Sequence, residues 1–292
     1  MNENQLSVDG FLPPKMALKA ADAGVAKSKM ATFPMFMLAV LAGAFIALGA
    51  IFATTATAGA STLPYGVVKI IGGLVFSLGL ILVIVAGAEL FTGNNLIVMA
   101  WASGKVSTTA LLRNWAIVYL GNFVGAILTA IGLFLSRQFV FGGGSVGVNA
   151  LNIAHAKVNL GFFQAIMLGI FCNALVCLAV WLCMSARTTT DKILAVLFPI
   201  TAFVAAGFEH SIANMYFIPI GLLIKDFADP SFWVQTGLAA SEFNALTWGN
   251  FLFANLLPVT IGNIIGGAGM VGLVYWAVYL RNPVEQADHL QK

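Results

Sequence analysis

The chain has 292 residues, of which 60% are hydrophobic and 9% charged, and its formal net charge is +3. A soluble domain carries about 25% charged residues, so this composition excludes a soluble globular enzyme and describes a polytopic membrane protein. The 14 basic residues form no stripe that could track a phosphate backbone, and no nucleic-acid partner is expected.

Residues 1–33 contain no apolar h-region or small-residue cleavage site, so they are not read as a signal peptide. Pro13 and Pro14 suit a helix start. Lys15, Lys19, Lys27 and Lys29 then alternate with Met16, Ala17, Leu18, Ala20 and Val25, which predicts a short amphipathic helix at the membrane surface. The plainer alternative is a positively charged flank that only sets topology.

Six spans follow, at about 34–56, 66–100, 111–136, 160–185, 192–224 and 248–280. A helix needs about 20 residues to cross ~30 Å of hydrocarbon. The second and fifth spans are interrupted by polar, glycine-containing breaks, Gly87-Ala88-Glu89-Leu90-Phe91-Thr92-Gly93-Asn94 and Gly207-Phe208-Glu209-His210-Ser211-Ile212-Ala213-Asn214. Both breaks fit G-x-E-x-x-x-x-N, with Gly87, Glu89 and Asn94 each 120 positions before Gly207, Glu209 and Asn214. Polar groups at that depth are costly unless they line a cavity or pair inside the bundle, and broken helices are a common way to build a substrate site at the midplane.

Between spans three and four, Gly142-Gly143-Gly144-Ser145-Val146-Gly147 matches G-x-G-x-x-G. It is read as an outer loop with no strand–turn–helix unit, hence no dinucleotide site. Cys172, Cys177 and Cys183 in span four have spacings that share no helical face, so neither a disulfide nor a metal site is expected, and no cofactor.

The repetition extends to N-x6-G-N-x2-G, as Asn114, Gly121, Asn122, Gly125 in span three and Asn255, Gly262, Asn263, Gly266 in span six, 141 positions apart. Spans one and four share a weaker G-x-F at Gly43/Phe45 and Gly169/Phe171. Three spans separate the halves. Three is odd, so the expected fold is all-α with six transmembrane helices in an inverted 3+3 repeat, about 34–136 and 160–280. Gly121, Gly125, Gly262, Gly266 and Gly267 would let helices approach closely. The six-helix domain would fill 34–280, between the N-terminal segment and a tail at 281–292.

Lys15, Lys19, Lys27, Lys29, Lys105, Arg113, Arg187, Lys192, Arg281 and Lys292 fall on the N-terminal side, against Lys69, Arg137, Lys157 and Lys225 opposite. Ten against four places both termini in the cytoplasm.

The runs GAELFTGN (87–94), GNFVGA (121–126), GFEHSIANM (207–215) and VTIGNIIGG (259–267) resemble the formate/nitrite transporter family. PPKMALKAADAGV (13–25) and IPIGLLIKDFADPSFW (218–233) resemble its formate channel branch, and the likeness covers about residues 11–281. It implies an aquaporin-like protomer in a homopentamer in a bacterial inner membrane, each protomer with its own pore for formate and similar small anions. It further implies one constriction at Phe76 and Phe203 and another at Leu80 and Leu90, with Thr92 and His210 between them. Asn173 and Asn263 match pore-lining asparagines, and Lys157 matches a basic residue near the outer mouth.

The chemistry of these residue types agrees with such roles. An anion in a narrow apolar pore must be compensated for lost hydration, and half-helix N-termini offer free N–H groups. His210, with an ordinary pKa of about 6.5, can neutralise the anion or lend it a proton. Glu89 and Glu209 are read as structural, because a carboxylate in the pore would repel an anion. A nitrite or hydrosulfide channel of the same family is the alternative. An intramembrane enzyme would need a motif such as H-E-x-x-H, which does not occur. A neutral-solute pore of the aquaporin type would need two N-P-A breaks, also absent.

Overall fold

A computed structural model describes residues 9–281, and among these the regular structure is entirely helical. In chain order the helices are α1 (Pro13–Ser28), α2 (Thr32–Ala56), α3 (Tyr65–Val85), α4 (Phe91–Asn94), α5 (Val98–Ala102), α6 (Thr108–Leu135), α7 (Ser145–Val158), α8 (Phe162–Ser185), α9 (Thr189–Ala205), α10 (Ser211–Phe227), α11 (Pro230–Thr236) and α12 (Asn250–Tyr279). The tail expected at 281–292 lies outside the described residues except for Arg281, as do residues 1–8 of the N-terminal segment.

Five helices, α2, α3, α6, α8 and α12, are long and apolar enough to cross a membrane, and α10 with α11 passes as a sixth across a 104° bend. The expected second span, 66–100, needed both sides of its break. In the structure α3 alone has the 21 residues required, and the rest of that stretch is α4, a 3-10 turn (Asn95–Ile97) and α5. The expected fifth span is shared by α9 and α10, 17 residues each, with 206–210 between them. Helix starts follow the local chemistry. Ser107 caps α6 by accepting from the Ala110 amide, and Thr188 and Asp191 exchange hydrogen bonds at the head of α9.

Small residues set the contacts between the long helices. A Cβ on Gly125 would collide with the Val40 carbonyl oxygen, and one on Gly266 with that of Ile170. Only glycine allows α6 to touch α2, and α12 to touch α8, backbone to backbone. In α12 two π-helical stretches, Asn250–Leu256 and Ile265–Leu273, flank the regular stretch that carries Gly262 and Asn263.

Two expectations are corrected. The N-terminal helix is not a free surface helix. Met16, Ala17 and Ala20 of α1 are buried in a cluster with Leu96, Met99, Trp181 and Val271. Phe11 and Ser185 exchange hydrogen bonds, and Lys19 donates to the Met184 carbonyl at 2.6 Å. Burial, then the nearby Lys192, Arg187 and Lys15, push the Lys19 pKa down. The second correction concerns the outer loop read at 142–147. Gly142, Gly143 and Gly144 turn the chain with positive φ, and α7 follows at once.

Candidate functional site: two helix breaks beneath an aromatic-floored cavity

At each break a helix ends, a glycine turns the chain, and three residues outside any helix lead into a new one. Gly87 has φ 80° and Gly207 has φ 73°, the left-handed region that glycine tolerates without strain. The Glu89 amide donates to the Leu38 carbonyl and the Glu209 amide to that of Leu168.

Each break is held by one asparagine from a neighbouring helix. Asn122 accepts from the Phe91 amide at 2.9 Å and donates to the carbonyls of Ala39 and Glu89. Asn263 accepts from the Ser211 amide at 2.9 Å and donates to those of Gly169 and Glu209. All three hydrogen-bonding positions are thus spent on backbone that the helices leave unpaired. The partners Leu38/Leu168 and Ala39/Gly169 stand 130 positions apart. The G-x-F match of Gly43 with Gly169, offset by 126, is therefore not the correspondence the hydrogen bonds use.

Glu89 and Glu209 are buried, each with 5% of its surface exposed. Glu209 accepts from Lys157 Nζ at 2.7 Å and from Asn214 Nδ2 at 2.7 Å. Glu89 accepts from Lys27 Nζ at 2.5 Å and from Asn94 Nδ2 at 2.7 Å. Asn114 and Asn255 complete the two sets, each accepting from the break asparagine and donating to the carbonyl of Lys27 or Lys157. A lysine beside each buried carboxylate compensates a charge that would be prohibitive alone. Lysine and asparagine side chains thus hold both glutamates.

The two breaks meet at Thr92 and His210. Thr92 Oγ1 lies 3.0 Å from His210 Nε2, and both residues are buried. His210 is the N-cap of α10, and its Nδ1 accepts from the Ala213 amide at 3.0 Å. A ring nitrogen that accepts carries no proton, so the neutral ring bears its proton on Nε2. Nε2–H then donates to Thr92 Oγ1, and the threonine O–H remains to serve another acceptor.

Above this pair is a cavity of about 460 Å³, bordered by Phe76, Phe203, Phe217, Lys69, Lys157 and His210, among others. Phe76 and Phe203 meet edge to face at 5.7 Å, and Phe203 stacks on the His210 ring at 5.9 Å. Leu80 lies one turn beyond Phe76 on α3, and Leu90 caps α4; each is 2% exposed.

The remaining expected site residues lie around the same two breaks. Asn173 donates to the Thr92 carbonyl, to Asn95 Oδ1 and to the Asn263 carbonyl. Asn173 and Asn263 therefore brace backbone. Lys157 borders the cavity and sits at the second break, paired with Glu209 and 5.4 Å from the Phe217 ring centroid. Asn122 and Lys27 were not among the expected site residues. Asn122 was signalled by its 141-position match to Asn263. The signal for Lys27 was A-K in α1 (26–27) and again in α7 (156–157), at the same offset of 130 as the backbone partners.

A profile of the formate/nitrite transporter family matches residues 14–277. The chain belongs to the formate/nitrite transporter family. It is 49% identical over 273 residues to the formate channel FocA of Escherichia coli K12, covering 94% of this chain and 96% of that one. It is 42% identical to FocA of Haemophilus influenzae, covering 93% and 96%. A solved pentameric formate channel with formate bound superposes with a TM-score of 0.82 at 48% identity, covering 86% of this chain and 98% of that chain. An ion channel of the same family superposes with a TM-score of 0.75 at 28% identity, covering 90% and 98%. A member of this transporter family is a membrane transport protein rather than an enzyme.

Proposed function

We propose that this chain conducts formate across the bacterial inner membrane, in both directions and with pH regulation. The observation that carries the reading is the Thr92–His210 contact, where the two breaks meet and His210 borders the cavity that Phe76 and Phe203 also line. The names of the relatives, formate channels at 49% and 42% identity, support the substrate.

The proposed architecture is an inverted 3+3 repeat of the aquaporin kind, about 34–136 and 160–280, within a six-helix domain at 34–280. Both termini lie in the cytoplasm. The paired hydrogen-bond sets around Glu89 and Glu209 support the repeat, and they extend it to α1 and α7 through Lys27 and Lys157. The described pentameric relative supports a homopentamer of complete pores.

In the proposed path, an anion enters the α7-side cavity, loses water at Phe76 and Phe203, and reaches Thr92 and His210. The free Thr92 O–H is a donor that suits a small carboxylate. Leu80 and Leu90 close the far side. Neutral His210 is a donor through Nε2. A second proton at Nδ1 breaks the Ala213 cap, so the pH dependence of flux follows the exchange between a capped neutral ring and an uncapped imidazolium. Asn173, Asn263, Glu89 and Glu209 keep the breaks in shape.

The test is flux into proteoliposomes at several pH values, comparing formate, nitrite, hydrosulfide and acetate. Formate passing faster than the other three supports the reading. Nitrite or hydrosulfide passing faster than formate would move the chain to another substrate within the family.

A further inference from the structure

The α7-side cavity is much larger than formate requires. At about 460 Å³ it falls within the ~300–1,000 Å³ of sites that enclose drug-sized ligands. Its floor is closed by the edge-to-face Phe76 and Phe203 rings, and Phe208 and Phe217 add aromatic wall.

The cavity also holds a cation without a carboxylate partner. Lys157 is engaged with Glu209 at 2.7 Å. Lys69 makes no ion pair among the described residues; its Nζ lies 5.3 Å from the Tyr65 ring centroid. Lys69, Gly72 and Phe76 border the cavity at i, i+3 and i+7 of α3, so they share one helix face. The Cα of Lys69 stands about 10 Å along the helix from that of Phe76. A charged head at one end and an aromatic bed at the other match one class of ligand.

We propose that this cavity is a binding site for aromatic monocarboxylates, which hold Lys69 with the carboxylate, lay the ring against Phe76, Phe203 and Phe217, and plug the path. The site goes beyond formate conduction, and its binding is read without any flux.

The probe is 4-fluorobenzoate, followed by fluorine NMR on the purified full chain in nanodiscs, with neutral 4-fluorobenzamide beside it. The acid should bind at least about tenfold tighter than the amide, and Lys69→Gln should weaken the acid about fivefold while leaving the amide unchanged. Lys69→Arg should restore binding, and added salt should weaken the acid alone. Equal binding of acid and amide, or acid binding insensitive to both Lys69→Gln and salt, would overturn the site. If Lys69→Gln does not fold, Lys69→Arg and the salt dependence still decide. Formate flux with no benzoate binding sinks this proposal alone; benzoate binding with no formate flux sinks the conduction reading alone.

Discussion

His210 Nε2 and Thr92 Oγ1 stand 3.0 Å apart, although 118 positions separate them in the chain. Each residue belongs to a different helix break, so the contact exists only when both breaks are formed. Replacing His210 by Asn keeps an N-cap that can accept from the Ala213 amide but removes titration and the reach to Thr92. A lost donor to a dry anion costs about 1.5–3 kcal/mol, so formate flux should fall ~10–100-fold and its pH dependence should flatten. Wild-type flux with wild-type pH dependence at equal protein density would reduce His210 to a packing residue.

The Lys157–Glu209 pair is buried, with side-chain exposures of 15% and 6%. Removing one partner strands the other charge, which costs on the order of 3–5 kcal/mol. Lys157→Met alone should therefore lower the melting temperature in detergent substantially. Lys157→Met with Glu209→Gln should recover much of it. Additive single and double losses would show that the two groups are not coupled.

The rings of Phe76 and Phe203 and the side chains of Leu80 and Leu90 are proposed to set the pore width. Alanine at each removes most of a side chain from a constriction. The acetate-to-formate flux ratio should rise severalfold in at least one of the four variants. An unchanged ratio in all four would remove these positions from the path.

Two glycines of α6 should respond oppositely to alanine. At Gly125 a new Cβ meets the Val40 carbonyl oxygen, whereas at Gly132 it meets nothing within 4 Å. Gly125→Ala should cost about 1–3 kcal/mol or prevent folding, while Gly132→Ala should be neutral or stabilising by up to ~1 kcal/mol. Yield and thermal melting of the purified protein distinguish them; equal behaviour would mean that α2 and α6 can separate freely.

Deleting residues 1–28 should destabilise the protein rather than leave it intact. The deletion uncovers Leu96, Met99, Trp181 and Val271 and removes Lys27 from Glu89. A shorter deletion, 1–12, spares both and should mainly loosen α1 by removing Phe11 from its contact with Ser185. Docking of α1 should also depend on pH. Folding lowers the Lys19 pKa from 10.5, so the unfolded form binds more protons between the lowered value and 10.5, and docking strengthens as pH rises through that window. Hydrogen exchange across α1 at increasing alkaline pH measures this; faster opening at higher pH, after correction for intrinsic exchange, would contradict it.

Much of this protein was legible in its sequence, because a bilayer imposes simple rules. Runs of apolar residues must be about 20 long to cross, and polar residues inside them must be satisfied. Those rules located the long helices, and they singled out Glu89 and Glu209 with their asparagines 120 positions apart. They also picked out the small residues that let α6 and α12 approach their neighbours. What they could not supply was the identity of the partners. The charge on Glu89 is compensated by Lys27, 62 positions away in a helix that looks like a surface element, and the pairing of Lys157 with Glu209 shows only once α7 is seen folded beside α10. With 14 residues, α7 is too short to give a hydropathy signal, and three glycines precede it. The cavity, its aromatic floor and the tautomer of His210 likewise depend on distances between residues far apart in the chain. Hydrophobicity and spacing act locally and can be read in order along the sequence. Charge pairing and hydrogen bonding act through space, so the tertiary structure alone decided which groups met.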